Sequence, residues 1–216
     1  MGSEMCIRDR LNPDENLINL ACVNARSLVE KIDSLITLFE ENQLHFALLT
    51  ETWLDKKHCP PRTMSDLTIG ANMNFIRRDR GSRGGGVAVV FNPTKIRMNR
   101  FQFVKQQNDN TELVCSLGNC ALTKRKIAAM SIYLPPGLTA AELALSLQTL
   151  IDCTQQILTK HPDAIIFIGG DFNNKNMSVF CAAFPAIKPI RPGATRGNAC
   201  LDDVYTNMHE KNYPRN

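Results

Sequence analysis

No stretch of this sequence approaches the roughly 18 to 20 consecutive apolar residues that a membrane-spanning helix needs, so a helical membrane protein is excluded as a reading of it. A secretory signal is missing too. The opening MGSEMCIRDR has no apolar stretch of its own, and residues 1–16 read as a non-native or disordered leader outside the fold. The eight cysteines form no C-x-x-C pair and meet no His-x-x-x-His, which removes the common zinc frameworks. They are scattered (Cys6, Cys22, Cys59, Cys115, Cys120, Cys153, Cys181, Cys200), and several interrupt apolar runs, where a free thiol behaves as a small hydrophobe. A reduced intracellular protein is the expectation, with Cys22 and Cys181 in the core and His58-Cys59 in an exposed loop. The run Gly84-Gly85-Gly86 lacks the G-x-x-x-x-G-K-[ST] pattern, so it reads as a flexible loop entering a strand rather than a nucleotide cradle. There are no repeats and no low-complexity tract.

What remains is an ordinary globular composition. The 216 residues are 44% hydrophobic and 21% charged, which suits one domain with a sizeable core. A formal net charge of +4 permits an anionic partner without demanding one, but the positive charge is clustered. Arg77, Arg78, Arg80 and Arg83 share one short stretch, and Lys124, Arg125 and Lys126 are consecutive. Taken alone, each cluster reads as a solvated loop or strand end. Beside a phosphate-handling site it reads as a nucleic-acid contact.

Four short apolar runs end on residues that handle phosphate and Mg²⁺. Residues 17–23 (LINLACV) run into Asn24, and residues 46–49 (FALL) pass Thr50 into Glu51. Residues 127–132 (IAAMSI) run into Tyr133, and residues 164–168 (AIIFI) pass Gly169-Gly170 into Asp171-Phe172-Asn173. Such runs, bounded by turn residues, predict buried strands. Strands ending at one edge of a shared core would gather these residues around one point. Further strands are expected at 74–77, 86–91, 96–104, 112–117 and 201–206. The spacing of Leu28, Ile32, Leu35, Ile36 and Phe39 predicts a helix over 27–41, with Ser27 as its N-cap and Glu30 three residues on. A long amphipathic helix is expected over 139–160 and a short one near 175–183, followed by a proline-rich crossing around 185–192. Many strands with few helices predict two sheets packed face to face and flanked by helices.

Phosphodiester hydrolysis needs a cation for developing charge, a base for the attacking water, and donors for the non-bridging oxygens. Mg²⁺ takes one or two carboxylates and keeps several waters, so Glu51 alone could anchor it. Asp171 and Asn173 lie two apart, so in an extended segment both leave the same face: one carboxylate to orient water, one amide to donate to phosphate. Asn24 could orient a ligand or its water, and Tyr133 could donate to a phosphate oxygen. An Asn or Asp at a strand end is by itself usually a turn former; the conjunction in this order carries the reading.

The segments Asn24-Ala25-Arg26-Ser27-Leu28, Thr50-Glu51-Thr52-Trp53-Leu54, Arg83-Gly84-Gly85-Gly86-Val87-Ala88, Gly169-Gly170-Asp171-Phe172-Asn173, and Thr195-Arg196-Gly197 with Leu201-Asp202 resemble the endonuclease/exonuclease/phosphatase superfamily. Among its branches they are most similar to the apurinic-type endonuclease domain of non-LTR retrotransposons, which precedes a reverse transcriptase. The resemblance covers residues 17–207, leaving 208–216 as a tail. It implies an α/β fold, a four-layer α-β-β-α sandwich of two packed mixed sheets flanked by helices. It also implies a monomeric domain that nicks DNA with Mg²⁺, or Mn²⁺ in its place, leaving 5′-phosphate and 3′-hydroxyl ends, intracellular and nuclear when it acts. By position, Glu51 would hold the metal with Asn24 beside it, and Asp171 would position the nucleophile. Tyr133 and Asn173 would contact phosphate, Asp202 would orient a histidine, and Arg26, Thr195, Arg78 and Arg83 would contact phosphate or DNA.

The sequence departs from that pattern in one respect. The superfamily's last strand carries Ser-Asp-His, and none of His45, His58, His161 and His209 follows Ser-Asp. The expectation is therefore a domain lacking its final strand and impaired in catalysis, since a missing general acid or base costs about 10²–10⁴-fold in rate. Two other functions stay open at this stage. One is a non-catalytic nucleic-acid-binding remnant; the other is a phosphomonoesterase of the same superfamily.

Overall fold

Strict alternation along the strands sorts their side chains into three separate cores. In the computed structural model, which describes residues 4–8, 18–54, 72–80, 84–103, 111–120, 125–190 and 202–208 (backbone alone at 4–8, 120 and 202), eleven strands and three helices are seen. The strands are β1 (Glu4–Arg8), β2 (Asn19–Asn24), β3 (Phe46–Thr50), β4 (Asn74–Arg78), β5 (Val87–Phe91), β6 (Ile96–Arg100), β7 (Glu112–Cys120), β8 (Lys126–Tyr133), β9 (Ile165–Asp171), β10 (Lys188–Ile190) and β11 (Asp202–Thr206). The helices are α1 (Ile32–Glu41), α2 (Ala140–Lys160) and α3 (Ser178–Ala183). One sheet has the order β1-β2-β3-β5-β4 and the other β10-β11-β9-β8-β7-β6. Both are mixed: β2–β3 and β8–β9 are parallel, and the remaining pairs are antiparallel.

Leu20, Cys22, Phe46, Leu48, Val87, Val89, Ile127, Ala129, Ile165 and Phe167 point between the sheets. Their immediate neighbours point the other way. Ala21, Val23, Ala47, Leu49, Ala88 and Val90 pack on Leu28, Leu35 and Phe39 at α1. Ala128, Met130, Ile132, Ile166 and Ile168 pack on Leu147, Leu150, Cys153 and Ile157 of α2 and Phe180 of α3. A sheet covered on both faces needs continuous apolar strands, which is why these runs show no polar alternation. The result is the four-layer α-β-β-α arrangement. Cys22 is buried as expected, while Cys181 is partly buried against the α2 side. No helix among the described residues is long and apolar enough to cross a membrane.

The long helix begins where its chemistry says. Thr139 and Glu142 form a reciprocal capping box, with the Thr139 hydroxyl accepting from the Glu142 N–H and the Glu142 carboxylate accepting from the Thr139 N–H. The first helix differs from expectation. It starts at Ile32 after Lys31, with no side-chain cap, rather than at Ser27. The backbone at Arg26 and Ser27 is left-handed (φ 43° and 78°), and the Ser27 and Leu28 N–H groups donate to the carbonyls of Glu51 and Thr52, both at 2.9 Å. An N-cap takes an extended backbone, so left-handed Ser27 cannot open the helix.

Two other expectations shift. Residues 4–8, inside the leader set apart from the fold, pair antiparallel with Asn19–Val23 as β1. The reason is a backbone one, because without β1 the N–H and C=O groups on that side of β2 would be an open edge. The strand expected over 96–104 ends at Arg100, where the Phe101 N–H turns to the Cys115 carbonyl.

Candidate active site at the strand ends

The two parallel pairs carry the four predicted runs, and register aligns their ends. Asn24 stands opposite Thr50 on β2 and β3, and Tyr133 stands opposite Asp171 on β8 and β9. Asp202 at the start of β11 is opposite Asp171 on its other side. Small residues let the sheets close at this end: a Cβ on Gly169 would meet Leu48 Cδ1 at 2.6 Å. The Ser131 hydroxyl donates across the gap to the Leu49 carbonyl at 2.7 Å.

One amide joins the two sheets. The Asn24 Nδ2 group donates to Glu51 Oε1 at 2.8 Å and to Asp171 Oδ2 at 2.9 Å, spanning 147 positions in the latter case. The other end of the same amide accepts the Arg26 N–H at 3.2 Å. Glu51 reaches this point on a left-handed backbone (φ 49°), which a non-glycine residue adopts only under constraint. The constraint comes from both sides. The Ser27 N–H bonds the Glu51 carbonyl, the Leu28 N–H bonds the Thr52 carbonyl, and the Thr52 and Trp53 N–H groups donate to the Gly86 and Gly85 carbonyls at 3.2 and 2.9 Å. The hydroxyls of Thr50 and Thr52, on either side of Glu51, are buried with no hydrogen-bond partner among the described residues. That is a second local cost carried at this position.

Asp171 is buried, and both its oxygens are engaged: Oδ2 by Asn24 and Oδ1 by the Asn173 N–H at 3.1 Å. Burial pushes its carboxyl above the usual value. The Asn173 and Asn24 hydrogen bonds oppose that shift, Glu51 adds to it, and the Arg26 charge opposes it. Tyr133 is pushed up to about 12, first by burial and then by Glu51 and Asp171, against the pull of Arg80. Its phenol is a proton donor throughout the physiological range. Asn173 is brought to Asp171 differently from the extended-strand expectation. The strand ends at Asp171, Phe172 turns into the core under α2, and Asn173 is left-handed (φ 45°) in an Asx-type turn. Its side-chain nitrogen donates to the Leu134 carbonyl at 3.0 Å.

The residues present fit a divalent cation. Glu51 and Asp171 share a neutral amide, and among the described residues Arg26 is the cation that bears on Asp171. Two carboxylates with retained water suit Mg²⁺, and among the described residues no three His, Cys, Asp or Glu side chains form a tighter cage.

Asn24, Glu51, Tyr133, Asp171 and Asn173 are thus gathered, with Arg26 beside them and the Asp202 backbone in register. Arg78 stands to one side of them, in a cleft that Tyr133 also lines. Its guanidinium donates to the Thr111 carbonyl in the wall of that cleft, which has a volume of about 340 Å³ and also takes in Arg80 and Glu112. Thr195, Arg83 and the His58-Cys59 loop lie outside the described residues.

Sequence reasoning missed the Arg80–Glu112 pair. Arg80 Nε donates to Glu112 Oε1 at 2.6 Å, its Nη2 bonds the same oxygen, and its guanidinium lies 5.5 Å from the Tyr133 ring centroid. The other Glu112 oxygen accepts the Gly86 N–H at 2.6 Å. This corrects the flexible-loop expectation for Gly84-Gly85-Gly86. All three have positive φ; the Gly85 and Gly86 carbonyls accept from Trp53 and Thr52, and the Gly86 N–H donates to Glu112. The available signal was an acid opening a largely apolar strand, with an arginine cluster in the same chain.

No family model matches the chain, and no curated protein sequence matches it. Solved structures do. The human Nocturnin catalytic domain with bound sulfate aligns over 95% of this chain and 86% of its own at 12% identity, with a TM-score of 0.67. An endonuclease/exonuclease/phosphatase from Bacteroides vulgatus aligns over 87% and 85% at 12% identity, TM-score 0.62. The endonuclease domain of TRAS1, a telomere-specific non-LTR retrotransposon, aligns over 86% and 82% at 12% identity, TM-score 0.56. At that identity the likeness speaks for the fold, and the fold of this chain is that of the endonuclease/exonuclease/phosphatase proteins.

Proposed function

We propose that this chain is the DNA-nicking endonuclease domain of a non-LTR retrotransposon protein, a Mg²⁺-dependent phosphodiesterase whose catalysis is impaired as the sequence stands. The observation that carries the reading is the Asn24 amide holding Glu51 and Asp171 together from two different sheets. The likeness to the TRAS1 endonuclease domain and the clustered arginines favour DNA over a small phosphomonoester. The proposal includes a reverse transcriptase on the parent polypeptide and a monomeric domain that acts in the nucleus.

Glu51 would hold the ion, with Asn24 beside it fixing the carboxylate in place. Bound there, Mg²⁺ supplies positive charge for the phosphate oxygens as negative charge builds on them. Asp171, its carboxyl raised by burial, orients a water and accepts its proton as the water oxygen attacks phosphorus. Tyr133 stays protonated and donates to a non-bridging oxygen. Asn173 uses one amide hydrogen on Leu134 and has a second for the phosphate. The bond to the 3′ oxygen breaks, leaving a 5′-phosphate and a 3′-hydroxyl. Protonating that leaving oxygen is the role for which the sequence has no Ser-Asp-His motif, with Asp202 in register beside Asp171.

Supercoiled plasmid incubated with Mg²⁺ tests this. Slow nicking is expected, stopped by chelator and by Glu51→Ala or Asp171→Asn. Nicking that persists in either variant, or in chelator, would falsify the assignment.

A further inference from the structure

The chain has one tryptophan, and the fold turns it outward at the rim. Trp53 follows Glu51 by two positions and is 36% exposed, while its neighbours Thr52 and Leu54 are 0% and 2% exposed. Its backbone is left-handed (φ 54°), a conformation that bulky residues seldom adopt. The strain is held in place by the Trp53 N–H donating to the Gly85 carbonyl at 2.9 Å and by the Thr52 N–H on Gly86. Gly86 is in turn pinned by Glu112. A Cβ on Gly84 would come to 4.0 Å from Trp53 Nε1, so the glycine turn runs close beside the indole. A tryptophan ring is on average largely covered. Here three glycines, a buried acid and a strained backbone hold it at the surface, one residue beyond the catalytic carboxylate's neighbour.

We infer that Trp53 is a stacking platform for a DNA base flanking the scissile phosphate, a role that rests on the nuclease reading above. An indole face can stack only on a base with one face free, so the preferred partner is an unpaired or end base. Phosphate charge is met by the arginines, and Trp53 adds a contact that every base can make.

Because Trp53 is the sole tryptophan, its fluorescence reports the contact directly. A single-stranded oligonucleotide, added in chelator so that no cleavage occurs, is expected to quench Trp53 emission. A strand of the same length built from base-free sugar phosphates is expected to bind with little quenching. In anisotropy with a labelled oligonucleotide, Trp53→Ala is expected to weaken binding about tenfold and Trp53→Phe to restore most of it. Equal quenching by the base-free strand, or Trp53→Ala binding as well as the parent, overturns the platform and leaves the nuclease reading standing. Failure of any oligonucleotide to bind the parent chain overturns both.

Discussion

Glu112 and Asp171 are both paired in register with Tyr133, one from β7 and one from β9, and they are 7% and 5% exposed. Their surroundings are opposite. Glu112 is answered in full, with a guanidinium on one oxygen and a backbone N–H on the other. Asp171 has a neutral amide, a backbone N–H and a second carboxylate on the same amide, with Arg26 as its counter-charge. A buried acid with its own arginine is a structural part, because removing it strands the partner charge. A buried acid crowded by another acid is a site that gains by acquiring a cation. The same sheet edge therefore holds one finished electrostatic arrangement and one that a cation would complete.

The largest expected effect comes from breaking the finished side. Glu112→Ala leaves Arg80 without its partner and the Gly86 N–H without an acceptor, and should lower stability by about 3 kcal/mol in urea denaturation. Asp171→Asn keeps the shape and removes a like charge, so metal-free stability should change by less than about 1 kcal/mol. Equal losses in the two variants would erase the distinction.

Next in size is the glycine turn that Glu112 pins. A Cβ on Gly85 would overlap the Arg80 guanidinium and come within 2.7 Å of Glu112 Oε2, whereas Gly137 has open space around it. Gly85→Ala should cost about 1–3 kcal/mol and Gly137→Ala less than about 0.5 kcal/mol in the same assay.

Acidity sharpens the contrast further. Asp171 has its folded carboxyl above the ordinary 3.8, so without metal its contribution to stability is complete below that value. The contribution is lost as the pH rises through the raised value. Asp171→Asn should flatten the metal-free stability profile over that window, and an unchanged slope would contradict the burial argument. Far from the rim, His45 behaves in the reverse sense. Burial and Lys95 lower it from 6.5 to about 4, and its ring nitrogen accepts the Asn19 N–H at 3.1 Å. Its contribution is present above 6.5 and is lost as the pH falls through about 4. His45→Gln retains an acceptor for the Asn19 N–H, so in urea denaturation stability near neutrality should hold while the loss on acidification is flattened.

The fold was readable because its signal is local. Continuous apolar strands report two covered faces, and Thr139 with Glu142 reports a helix start. The site was readable because parallel strands end together, so Asn24, Glu51, Tyr133 and Asp171 needed only a correct sheet order to meet. What the sequence hid depends on long-range backbone bonding. Ser27 looks like a cap until the bonds to Glu51 and Thr52 fix a left-handed backbone there, and Gly84-Gly85-Gly86 looks loose until Glu112 reaches Gly86. Asn173 sits two residues from Asp171 for a reason, but the reason is a turn and not strand alternation. Arg80 and Glu112 are separated by 32 positions, and no spacing rule links an arginine in a cluster to an acid at a distant strand start.

Calorimetric titration of Mg²⁺ into the parent chain, Glu51→Gln and Glu112→Gln tests the central contrast most directly. The expected result is one site in the parent, lost in Glu51→Gln with the fold preserved by circular dichroism, and kept in Glu112→Gln. Undiminished Mg²⁺ binding by a folded Glu51→Gln protein would contradict it.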